Sequence, residues 1–287
     1  MTWFWLTLAS AFFAATADYL VKRHFSDLPL TEVVVLRFAS LAPLSVGIFF
    51  LFPHEPVEPG FYLTLVAALP AEIAAAYLYI RAIQVSPLAL TLPFLTFTPV
   101  FALFTGFFIL DEAPSAVAFW GIGLLAAGAY GLNLHQWQGD WAKPLRAVAE
   151  EKGSWMMLAV SVLYSYTGVM GRRAVLQSSP LYTAAVYPVF LIVAVVVIAM
   201  ATRRVSWGWL RRPGPALAVG ASLSATVVCH YLAMDMVQAA YMLAVKRLSL
   251  LFALLYGGWL LGEARLAQHL AAGCLMLIGA GLILFWG

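Results

Sequence analysis

Residues 101–113, "FALFTGFFILDEA", and residues 252–264, "FALLYGGWLLGEA", repeat one phrase 151 positions apart. Phe-Ala-Leu recurs, as do Gly106 with Gly257, Leu110 with Leu261, and Glu112-Ala113 with Glu263-Ala264. The same register pairs Ala82 with Ala233, Leu124 with Leu275 and Gly128 with Gly279, and a nearly equal shift lays Lys22-Arg23 on Arg172-Arg173. The chain therefore reads as two related halves.

The solvent of those halves follows from composition. Of 287 residues 63% are hydrophobic and 10% charged, against roughly 45–50% apolar residues in soluble domains. Apolar runs near the ~20 residues that cross a bilayer lie at about 3–20, 31–52, 61–81, 88–110, 116–134, 153–170, 180–200, 215–235, 241–261 and 267–286. The expected fold is an all-α integral membrane protein of ten transmembrane helices. Ala15-Thr16-Ala17 resembles a signal-peptidase site, but the run before it lacks a basic leader and the repeat needs it as a span.

Five spans per half is an odd number, so the second half is expected to enter the membrane inverted. Residues 1–134 then form the first five-helix repeat, 135–152 a polar linker ("HQWQGDWAKPLRAVAEEK"), and 153–287 the second repeat. Inverted repeats mark alternating-access carriers, with the substrate near the midplane between the halves.

The phrase "FALxxG…E", followed by the Gly- and Ala-rich "GIGLLAAGAYG" in one half and "AAGCLMLIGAG" in the other, resembles the EamA-type families of the drug/metabolite transporter superfamily. The resemblance covers the chain as two EamA-like units. It implies a ten-helix carrier whose central cavity is lined by the first four helices of each half, with the fifth helices at the periphery. It also implies cytoplasmic termini. The charges here favour the reverse, because loops on one side carry eleven basic residues, from Lys22 to Arg265, and the opposite loops carry only Arg172 and Arg173.

Charges inside spans are expensive and face a cavity or a partner. The set comprises Arg37, Glu72, Lys246 and Arg247, with Asp18 and Asp235 nearer span ends. Lys246 and Arg247 lie about five residues into span 9, on the order of 8 Å deep at 1.5 Å per residue. Two readings are open: both snorkel to the headgroups, or both bind an anionic group of the substrate. The adjacent Lys-Arg also resembles the phosphate-binding pair of the plastid triose-phosphate translocators, although span 6 lacks the further lysine of that branch. Glu72, just after Pro70, reads as a counter-ion to Arg37 or Lys246, or as a proton-coupling or amine-binding carboxylate.

Asp18 precedes Lys22 by four residues, the spacing of a helical ion pair. Glu112 and Glu263 are expected to be structural, each stabilising the start of the helix that follows it. His230 and Tyr231 join Lys246 and Arg247 on one side of the midplane, with Arg37 and Asp18 on the other. Tyr77, Tyr79, Tyr164, Tyr166, Tyr187 and Tyr231 read as a cavity-lining set or as ordinary packing. Small residues in spans 5 and 10 are expected to permit close helix contact. Cys229 and Cys274 are assigned no chemistry, and no cofactor, metal or nucleic acid is expected.

The functional expectation is a secondary carrier, since no nucleotide-binding loop is present to drive primary transport. Its substrate would be a small polar metabolite bearing a carboxylate or phosphate, with coupling to protons or a counter-substrate, in a bacterial inner membrane. Lys246, Arg247, Glu72, Arg37, Tyr77, Tyr79, His230 and Tyr231 would bind it. The alternatives are a lipid-head-group flippase of the same fold and a membrane-embedded lipid-modifying enzyme. For the enzyme, the histidines at 24, 54, 135, 230 and 269 lack a metal or nucleophile spacing.

Overall fold

A computed structural model describes residues 1–52, 56–85, 92–113, 115–131, 152–202, 207–252, 256, 275–283 and 285. The linker, Glu263 and Cys274 lie outside the described residues. Among those described, regular structure is helical. The helices are α1 (Thr2–Phe25), α2 (Leu30–Ala39), α3 (Ala42–Leu51), α4 (Phe61–Val85), α5 (Thr98–Leu110), α6 (Ala116–Gly131), α7 (Lys152–Leu176), α8 (Pro180–Thr202), α9 (Pro213–Met236) and α10 (Ala239–Lys246). A further helical stretch covers 275–283.

Among the described residues, five segments are long and apolar enough to cross a bilayer: Thr2–Phe25, Leu30–Leu51, Phe61–Ala82, Pro180–Thr202 and Pro213–Met236. Helix α7 is as long as α4 but is built differently. It buries Ser154, Ser161, Ser165 and Thr167, and Ser161 and Ser165 donate to the carbonyls of Leu158 and Val162, each at 2.7 Å. Those two hydroxyls are satisfied by the helix's own backbone, and a helix with buried polar positions packs them inside the assembly rather than against lipid.

The two most extensive helix pairings, α1 with α9 and α4 with α7, each join a helix of residues 1–134 to one of residues 153–287. Both run antiparallel. Ser10 donates to the Thr226 carbonyl near the middle of α1 and α9, while Asp27, just past α1, meets Arg212, just before α9. Thr64 and Gln177 tie the start of α4 to the end of α7 at 2.7 Å.

Several spans break within the membrane. Ser40 and Leu41 separate α2 from α3, where Pro43 falls in the first turn of the new helix and its missing N–H costs nothing. A 3-10 segment, Leu92–Phe97, precedes α5. After α10 the chain tightens into i→i−3 bonds, Arg247 to Ala244 and Leu248 to Val245, both 3.0 Å, before helix resumes at 249–252. Pro188, by contrast, sits within an uninterrupted α8.

The expected close contact of spans 5 and 10 is present within one chain. A Cβ added at Gly121 would lie 2.8 Å from the Gly279 carbonyl oxygen, and one at Gly279 would lie 2.6 Å from that of Gly121. Backbone meets backbone there, which only glycine permits.

Candidate functional site

Arg37 stands in the last turn of α2, and Lys246 and Arg247 at the end of α10. Both helices are short, and basic groups at a helix C-terminus offset the partial negative charge of its free carbonyls. The interrupted helices thus give these cations a local reason.

These ends converge on one place. Arg37 forms an ion pair with Asp18 of α1, and Tyr79 of α4 donates to the other carboxylate oxygen of Asp18 at 3.4 Å. Lys246 Nζ lies 3.0 Å from Nδ1 of His230 on α9. With Lys246 as the ammonium donor, His230 is neutral and protonated on Nε2. Glu72 of α4 interacts with the Thr167 hydroxyl of α7 and lies within electrostatic reach of Lys246 and Arg37. Arg247 lies within reach of Tyr164 and Tyr79, and its Nε is buried without a hydrogen-bond partner.

Lys246, Arg247, His230, Glu72, Arg37 and Tyr79 are each half-buried. Tyr231 is buried beside His230, ring centroids 5.1 Å apart and edge to face, and it too lies within reach of Glu72. Tyr77 packs against the apolar cluster of Val33, Val34, Val35 and Val195, as the ring of Tyr79 also does. Close approach of α7 to α10 depends on Gly168, where a Cβ would meet a Leu243 methyl at 2.8 Å.

Two expected contacts are corrected. Asp18 pairs with Arg37 on the neighbouring helix rather than with Lys22 one turn on, because the desolvated guanidinium has greater need of a carboxylate than a lysine at the helix end. Glu112 does lie at a helix start, but not that of α6, which follows it. Its Oε2 accepts from the Ala239 N–H, the first residue of α10, at 3.2 Å, and its Oε1 pairs with Arg172. Asp111, in the left-handed conformation at φ 54° after α5, turns the chain toward those partners.

Arg172 also donates to the carbonyls of Met234 and, at 2.5 Å, Val237. It is thereby the hub of a clamp joining α5, α7, α9 and α10. Nothing in the spacing of Arg172 revealed this. Thr167 was likewise missed, since a lone threonine in an apolar span is unremarkable, although the density of small polar residues in "SVLYSYTGVM" (161–170) is a usable signal.

Long apolar helices with charges gathered from several of them define an integral, multi-pass membrane protein. Residues 1–134 match the EamA-like transporter family, and the resemblance read from the repeated phrase is borne out. A solved structure titled only "Crystal structure of protein" is similar over 97% of this chain and 95% of its own, with a TM-score of 0.72 at 13% identity. At that identity the likeness shows the fold alone. None of the curated proteins compared with the chain matches it.

Proposed function

We propose that this protein is a secondary carrier of the bacterial inner membrane that moves a small anionic metabolite by alternating access between residues 1–134 and 153–287. The observation that carries the reading is a surplus of positive charge in the cluster. Arg37, Lys246 and Arg247 face Asp18 and Glu72, three cations against two carboxylates, a surplus of one. Asp18 is committed to Arg37 and Glu72 lies near Lys246. Arg247, whose Nε has no partner, is the group left to receive a carboxylate or phosphate, which a guanidinium binds by a fork of two hydrogen bonds.

Helix bounds support the two-repeat organisation. Moved by 151, residues 2–25 fall on 153–176, 30–51 on 181–202 and 61–85 on 212–236, which are the extents of α7, α8 and α9 to within a residue or two. The break at 97/98 falls on 248/249, where α10 gives way to the next helical stretch. The inversion is supported by end contacts. Helix α1 ends where α9 begins, at Asp27 and Arg212, while Arg172 near the end of α7 meets Met234 and Val237 at the end of α9. Related helices α1 and α7 therefore point opposite ways.

The test is thermal stabilisation of purified protein by amino acids, organic acids, phosphorylated metabolites and cationic drugs, followed by uptake of any hit into proteoliposomes. A ligand of the folded state raises apparent stability. Anionic compounds should do so in the wild type and not in Arg247→Ala, with the variant itself still folded. Stabilisation by cations alone, or by anions equally in both proteins, would overturn the reading.

A further inference from the structure

Away from the charged cluster, α3, the first turn of α4 and α8 enclose a lateral cavity of about 400 Å³. All three belong to apolar segments of membrane-spanning length. Its walls are Val46, Phe49 and Phe50 from α3 and Ala185, Val189 and Phe190 from α8. Val46, Phe50 and Val189 are 55%, 79% and 44% exposed, so the cavity opens outward from the helix assembly.

One end is polar. Tyr62, second in α4, and Tyr182, third in α8, stand with their hydroxyls 2.9 Å apart. These two helix starts lie at one membrane surface, joined by the Glu58 N–H donating to the Gln177 carbonyl at 2.9 Å. From Tyr182 to Phe190 is eight residues, about 12 Å of apolar wall along the helix axis at 1.5 Å per residue. Phenol groups favour the headgroup level, where the ring is apolar and the hydroxyl finds polar partners. A polar rim at that level leading into an apolar slot has the shape of one molecule class, an acyl lipid.

We propose that this groove binds a phospholipid, with one acyl chain lying between α3 and α8 and the glycerol-ester carbonyl accepting from the Tyr62–Tyr182 pair. The bound lipid fills the seam between a helix of the first half and one of the second. The assignment is independent of the transported substrate.

Its test uses the full chain reconstituted in phosphatidylcholine bilayers doped with phosphatidylcholine bearing a photoactivatable diazirine on one acyl chain, with adducts mapped by mass spectrometry. Adducts should concentrate several-fold on Val46, Phe49, Val189 and Phe190 over other exposed apolar positions such as Phe104, Phe108 and Trp120. Val189→Trp should abolish that excess, and Tyr62→Phe with Tyr182→Phe should lower it. Ser45→Ala should leave it unchanged, because an acyl chain has no use for the unpartnered Ser45 hydroxyl at the groove wall. Equal labelling of all exposed apolar positions, meaning general bilayer contact only, would overturn the proposal. So would an excess that survives Val189→Trp in protein that elutes and melts as the wild type does, or one that Ser45→Ala removes.

Discussion

Two arginine–carboxylate pairs join the halves of this protein, one at each end of α9, and they are built to opposite specifications. Arg172 and Glu112 are 13% and 12% exposed, and each has further partners: two carbonyls for the arginine, the start of α10 for the glutamate. Arg212 and Asp27 are 42% and 57% exposed and meet in a fork of two bonds, both 2.7 Å, with the His24 carbonyl as a further acceptor for Arg212. A buried pair is costly to break, because either survivor is left charged and desolvated. An exposed pair exchanges its partner for water at little cost. The same chemistry thus gives a fixed end and a yielding end.

The largest effect is expected at the clamp. Arg172→Ala strands Glu112 and should cost about 3–5 kcal/mol, read as loss of the monodisperse peak or a steep fall in melting temperature in detergent. Replacing both Arg172 and Glu112 by leucine should recover most of that loss. A double variant no better than the single one would show that the clamp acts through its carbonyl bonds rather than through the ion pair.

Glu112→Gln keeps an acceptor for the Ala239 N–H but removes the charge, and should cost about 1–3 kcal/mol. Measured against Arg172→Ala in the same thermal assay, it separates the helix-capping contact from the ionic one. Between the two ends stands the half-exposed pair of Arg37 with Asp18, at 25% and 39%. Arg37→Gln should fall between clamp and fork in stability and, unlike either, should change the response to anionic ligands.

The fork should matter least. Hydrogen bonding from Arg212 holds the Asp27 carboxyl below the usual carboxylate range. Its contribution is therefore fully present above the unfolded value near ~3.9 and is lost as pH falls through the lowered folded value. Wild type and Asp27→Asn should differ slightly at neutral pH, converge in acid, and approach each other at neutral pH in high salt. A gap as large as that of Arg172→Ala, or one insensitive to salt, would erase the contrast between the two ends.

The sequence by itself determined the solvent, the recurring phrase at 101–113 and 252–264, and the short set of charges that demand explanation. Each follows from a one-dimensional rule: a bilayer needs runs of fixed length, a repeated phrase shows at one fixed shift, and an ion in hydrocarbon must have a reason. Arg37, Glu72, Lys246 and Arg247 were legible for that reason, and the small residues of spans 5 and 10 pointed to close helix contact without saying which helix each meets. Tertiary structure alone decided who pairs with whom. Asp18 reaches Arg37 across 19 positions and Glu112 reaches Ala239 across 127, passing over the local partners that spacing offered. Tyr77 and Tyr79 pack against one apolar cluster, and only the fold gives the Tyr79 hydroxyl a carboxylate, that of Asp18. Partner choice rests on which desolvated group lacks compensation once helices pack, and that is a property of the assembled fold.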